Sequence, residues 1–135
     1  MLKKIIILYL SICIGSFILA AILLYADMGN EKELYGNLFG QYESTIYRGT
    51  AIMCIAIIPI FMNISQWIRT KPLLRFVSFF LWPVIIYIFE TVRSTPQQLK
   101  NASITFFSVF ACLLLGYIYF QRAVKKEQSA IKTNS

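Results

Sequence analysis

The sequence predicts an all-α integral membrane protein: a four-transmembrane-helix bundle with an amphipathic outer loop between helices 1 and 2. Three observations carry that prediction. The chain has 135 residues, of which 58% are hydrophobic and 14% charged, with a mean hydropathy of +0.65. Ordinary soluble domains are about 25% charged, and a chain this short lacks the interior to hide so much apolar surface. Four apolar runs, over 5–25, 50–67, 73–90 and 102–120, have the length of membrane spans and take up 76 of the 135 residues. Crossing the hydrocarbon layer takes about 20 mostly apolar residues. The runs are continuous rather than alternating, which selects helices over a closed barrel. Residues 1–124 therefore read as one transmembrane domain.

The first run holds 18 apolar residues in 21 and no charge. Lys3 and Lys4 ahead of it resemble the start of a signal sequence. The apolar run continues through Ile22-Leu23-Leu24-Tyr25 after Ala20-Ala21, however, so the segment is expected to stay as the first helix. Tyr9, Cys13, Ser16 and Ala20 recur at helical spacing along it and read as a packing face. In lipid there is no hydrophobic drive between helices, and small residues let their backbones approach.

The segment 26–49 is the only long connection. At about 100° per residue, Leu34, Tyr35, Leu38, Phe39, Tyr42 and Ile46 fall on one arc and Glu33, Asn37, Glu43 and Ser44 on the other. This predicts an amphipathic helix weakened by Gly36 and Gly40. It would lie on the outer leaflet, or serve as a docking surface for a partner, because aromatic residues are enriched in binding cores. Glu31, Glu33 and Glu43 would give that surface selectivity for a basic partner.

Helix two carries Pro59 near its middle, which removes a backbone donor and predicts a kink. Asn63 lies one turn later, with Ser65 and Gln66 beyond it, and Asn63 is expected to face the bundle interior. Residues 68–72 read as a tight turn, with Pro72 at the first position of helix three. Helix three has Pro83 beside Trp82, which predicts a second kink. Its ionisable residues sit near its ends. Arg75 is expected to snorkel to the surface, and Glu90 to pair with Arg93 one turn on. Residues 91–101 read as a modest loop. Helix four presents Ser108, Cys112 and Gly116 at intervals of four, a second packing stripe. The polar tail 125–135 lacks apolar periodicity and is expected to be without regular structure.

Basic residues set the orientation. Lys3, Lys4, Arg69, Lys71, Arg75, Arg122, Lys125, Lys126 and Lys132 would share one side, nine against Lys32, Arg48, Arg93 and Lys100 on the other. Both termini are predicted cytoplasmic, in a bacterial cytoplasmic membrane. The formal charge of +7 reflects this asymmetry and attraction to an anionic lipid bilayer. It is not read as nucleic-acid binding, because the basic residues are divided among short segments.

Enzyme readings fail by residue type. Histidine is absent, which removes Ser-His and Cys-His pairs and histidine-ligated metal. Asp27 is the only aspartate, and no phosphate-binding glycine loop occurs. Cys13, Cys54 and Cys112 lie in three different spans and read as small buried side chains. No catalytic residue, cofactor or metal is expected. The size, the inside termini and the apolar hairpin resemble, in architecture alone, immunity proteins that protect bacterial membranes from pore-forming toxins. The expected function is non-enzymatic binding of another membrane protein or a membrane-inserting toxin. The alternative is a homo-oligomeric channel or carrier, with Asn63, Gln66 and Glu90 as its polar elements.

Overall fold

A computed structural model describes residues 1–28 and 39–134. Those residues are almost entirely helical and include no strand. The elements run α1 (Leu2–Met28), α2 (Phe39–Ala56), a 3-10 helix (Ile58–Ile64), α3 (Gln66–Thr70), α4 (Pro72–Arg93) and α5 (Pro96–Thr133). Four segments are long and apolar enough to cross a membrane: Leu2–Ala26, Ser44–Ile64, Pro72–Arg93 and Gln98–Thr133. In chain order the spans alternate in direction. One end of the bundle therefore collects the termini and α3, and the other collects the α1–α2 and α4–α5 connections.

The longest helix, α5, is the hub and packs on α1, α2 and α4. Against α1 the contact runs through small residues. Ser16, Ala20 and Ser108 are fully buried, and an added Cβ on Gly116 would lie 2.7 Å from Ile12 Cδ1. Gly15 faces Cys112 in the same way, at 3.3 Å from its Sγ. The close contacts thus pair Leu8, Ile12 and Gly15 of α1 with Cys112 and Gly116 of α5, with Ser16, Ala20 and Ser108 buried in the bundle. The hydroxyls do not bridge the two helices. Ser16 Oγ donates to Ile12 O at 2.6 Å and Ser108 Oγ to Ile104 O at 2.8 Å, each back into its own helix. Close backbone approach, rather than interhelical hydrogen bonding, is what these residues supply.

Aromatic rings join α4 to α5. Phe79 and Phe80 meet Tyr117 edge-on at 5.3 and 5.5 Å, and Tyr87 stacks on Phe106 at 4.1 Å. Such pairs add about 0.5–1.5 kcal/mol beyond area burial. Outward faces carry large apolar side chains instead: Ile14 is 60% exposed, Ile55 64% and Leu115 70%. A water-soluble monomer rarely shows contiguous apolar surface on that scale.

Span two is broken, not merely kinked. α2 ends at Ala56 and the chain continues as seven residues of 3-10 helix. Such runs seldom exceed three or four residues. Pro59 has no N–H to offer Ile55, and the α-helical ladder stops there. The carbonyl of Cys54 accepts the Tyr9 hydroxyl of α1 instead, at 3.0 Å. Pro83 behaves differently. It is buried within α4, which continues as α-helix on both sides, so the second predicted kink is not a break.

Several connections differ from the sequence expectation. The tight turn over 68–72 contains the end of α3, and only Lys71 separates α3 from Pro72. The loop over 91–101 shrinks to Ser94 and Thr95. Thr95 caps α5, Pro96 takes the first helical turn, and Gln98 Oε1 accepts the Thr95 N–H at 3.2 Å. That capping box was legible in Thr95-Pro96-Gln97-Gln98. Past the spans, α5 stays helical to Thr133 where no regular structure was predicted. Ala123, Lys125, Lys126, Glu127, Gln128 and Ala130 are strong helix formers on a helix already nucleated.

Candidate functional site

The two-residue α4–α5 connection brings three polar helix ends together at the loop end of the bundle. Between α2, α4 and α5 they leave an open cleft of about 450 Å³. Its floor is apolar, formed by Ile52, Met53 and Ile86. Its rim carries Arg48 from α2, Glu90 and Arg93 from α4, and Gln98 and Asn101 from α5. On the wall, Gly49 lets α2 approach α5, since an added Cβ would lie 3.2 Å from Thr105 Oγ1. Tyr87 fixes the opposite wall by its stack on Phe106 and a 3.3 Å hydrogen bond with Ser103.

Two guanidiniums and one carboxylate line the cleft, and among the described residues no ion pair is seen between them. Arg93 lies over the Phe89 ring at 4.9 Å, rather than bonding Glu90 as the sequence suggested. An ion pair joins Arg69 to Glu127 at 3.5 Å, at the other end of the molecule. The rim therefore keeps hydrogen-bonding and charge capacity for a ligand with an apolar part and a polar or ionic part. Nucleophile–base pairs are not assembled here, and no metal-holding cluster occurs among the described residues.

The predicted site residues are spread over the molecule. Glu90 lines this cleft. Asn63 lies at the termini end of span two, fully buried, and Gln66 is exposed at the start of α3. These three do not converge on one pathway. Of the outer-loop residues, Glu31, Glu33, Leu34, Tyr35 and Leu38 lie outside the described residues. Phe39, Tyr42 and Glu43 are described only as helical backbone, in the first turns of α2. Helical structure thus begins within the predicted loop and continues without interruption into span two.

Sequence reasoning missed Arg48, Arg93, Gln98 and Asn101 as a group. They come from three helices, brought together by the short α4–α5 connection and by the packing of α2 against both. It also missed how Asn63 is held. Asn63 Nδ2 donates to Ile60 O at 3.0 Å and to Ser78 Oγ at 2.6 Å, and Ser78 Oγ donates to Arg75 O at 2.8 Å. Arg75 is buried at 8% exposure, where the sequence suggested a side chain running to the surface, and its carbonyl accepts the Ser78 hydroxyl. Asn63 Oδ1 and Arg75 Nε have no hydrogen-bond partner.

Comparison with family models, with curated proteins and with solved structures gives no match for this chain.

Proposed function

We propose that this chain is a non-enzymatic polytopic membrane protein that captures another membrane or envelope protein at its loop face, in the manner of an immunity protein or an accessory subunit. The observation that carries the reading is the cleft between α2, α4 and α5, with Arg48, Glu90 and Arg93 around an apolar floor. A floor at span depth and a polar rim suit a side chain or terminus presented by a chain already in the bilayer. The rim adjoins α2, whose first turns come from the segment bearing Tyr35, Phe39, Tyr42 and the acidic residues. Aromatic contacts from that segment and charge contacts from the cleft would act on one partner. With nine basic residues at the termini end, both termini face the cytoplasm and the cleft opens on the outer side of a bacterial cytoplasmic membrane.

The test is tagged purification from native membranes in a mild detergent, with subunits identified by mass spectrometry. A second chain at fixed stoichiometry is expected. It should be lost on R48E/R93E and on joint replacement of Tyr35, Phe39 and Tyr42 by Ala, while membrane insertion persists. Undiminished capture by both variants would end the assignment.

The broken span two favours one other reading, a homo-oligomeric channel or carrier. Discontinuous helices with buried polar side chains line substrate sites in many transporters. A defined homo-oligomer with nothing else bound, together with solute flux in reconstituted vesicles, would support it; absence of flux would remove it.

A further inference from the structure

Arg75 presents an electrostatic problem that the chain does not solve. The residue is 92% buried, by the 8% exposure above; its Nε has no hydrogen-bond partner, and among the described residues no ion pair to it is seen. Nε is sealed off, whereas the two outer nitrogens of the fork are not among the sealed atoms. A buried guanidinium without a counter-ion costs several kcal/mol. The neighbouring cations are provided for: Lys71 lies over the Trp67 ring at 4.3 Å, and Arg69 pairs with Glu127. Glu127 is the only acid at this end in chain order. Glu90 is fifteen residues farther along α4, about 22 Å away, and the other four acids lie in 27–43. Asn63 Oδ1 is also unpartnered, but an amide oxygen supplies no charge.

We propose that Arg75 is the anchor of a phosphate-binding site, and that its occupant is the phosphodiester of an anionic phospholipid in the leaflet on the termini side. Depth favours that source. Arg75 is three residues beyond Pro72, about 4.5 Å along α4, so it sits just beneath the turn between α3 and α4. Trp67 in α3, just ahead of that turn, is 63% exposed, in the manner of tryptophans at the headgroup level. A phosphate there meets the open fork of Arg75 as two parallel charge-assisted bonds, with Lys71 and Arg69 adding field around it. The site rests on the membrane placement alone and not on partner capture, so loss of capture leaves it standing.

The test uses the full chain with W82F, leaving Trp67 as the reporter, in vesicles of three kinds. These are phosphatidylcholine alone, phosphatidylcholine with brominated phosphatidylglycerol, and phosphatidylcholine with inorganic phosphate in the buffer. Bromine quenching of Trp67 gives the relative lipid affinity, and the thermal midpoint of unfolding gives the stabilisation. Expected is a roughly tenfold preference for phosphatidylglycerol over phosphatidylcholine and a raised midpoint, both lost in R75Q and both kept in K125Q/K126Q. Equal preference in R75Q, or its loss in K125Q/K126Q, overturns the site in favour of general surface attraction. Inorganic phosphate raising the midpoint as far as the lipid does reassigns the site to a free oxyanion and overturns the lipid source. Should R75Q not fold, the parent protein decides alone: equal midpoints and equal quenching with and without phosphatidylglycerol overturn the proposal.

Discussion

Gly116 offers the sharpest test of how the helices meet. An added Cβ there would lie 2.7 Å from Ile12 Cδ1, 3.0 Å from Ile12 Cγ1 and 3.3 Å from Leu8 Cδ1. Ile12 is 3% exposed, and its branched Cβ leaves one favoured rotamer in a helix, so Cγ1 cannot swing aside cheaply. Gly116→Ala gains about 1 kcal/mol of helix propensity and meets an overpacking cost of about 1–3 kcal/mol. The net is a destabilisation of about 0–2 kcal/mol. Gly116→Val adds two methyls toward Ile12 and Leu8 without that gain in propensity, and should cost about 3 kcal/mol. Ile12→Ala alone should cost about 2 kcal/mol, since in lipid the cavity remains but the transfer contribution largely falls away. The combination I12A/G116V removes the atoms that the valine strikes. Its cost should fall below the sum of the single changes by about 1–3 kcal/mol. Reversible unfolding in mixed micelles of a mild detergent and dodecyl sulfate, followed by tryptophan fluorescence, measures all four proteins. Additivity within about 0.5 kcal/mol would refute the α1–α5 packing described here.

Tyr9→Phe removes the hydroxyl that satisfies Cys54 O at the break in span two; the same assay should show a loss of about 1 kcal/mol, and no change would mean that the carbonyl finds another donor. Asn63→Leu removes two buried hydrogen bonds at once, those donated to Ile60 O and to Ser78 Oγ. It should cost more than Tyr9→Phe, about 1–3 kcal/mol, and an equal or smaller loss would contradict the hydrogen-bond scheme. By contrast, Glu127→Gln breaks an ion pair whose acid is 37% exposed, and unfolding should shift by no more than about 0.5 kcal/mol. A larger shift would show that the α5 extension is held to α3 more firmly than one solvated pair explains.

The elements that sequence reasoning placed well are those that depend on local pattern. Apolar length marks the four segments long enough to span a membrane. Pro59 marks the interruption of span two, though not its continuation as seven residues of 3-10 helix. The errors lie where a neighbour decides. Arg75 was expected to reach the surface, because a lone arginine near a helix end usually does. It is 8% exposed, on a helix that the unwound segment meets through the Asn63–Ser78 hydrogen bond. Pro83 leaves α4 unbroken, buried within the packed bundle.

Composition and periodicity by themselves determined a helical chain with four apolar segments of span length, because those properties are set by solvent preference and by 3.6-residue geometry. Which faces meet, and which polar groups share a cleft, was decided only by tertiary structure. Arg48 is more than forty residues before Glu90, Arg93 and Asn101; the last three are joined by the turn of α4 into α5 at Ser94 and Thr95, and Arg48 reaches them because α2 packs against both helices. The same holds for Arg75, whose isolation is a property of three-dimensional placement. The nearest acid in the chain, Glu90, is fifteen residues along α4, and Glu127 is bound to Arg69.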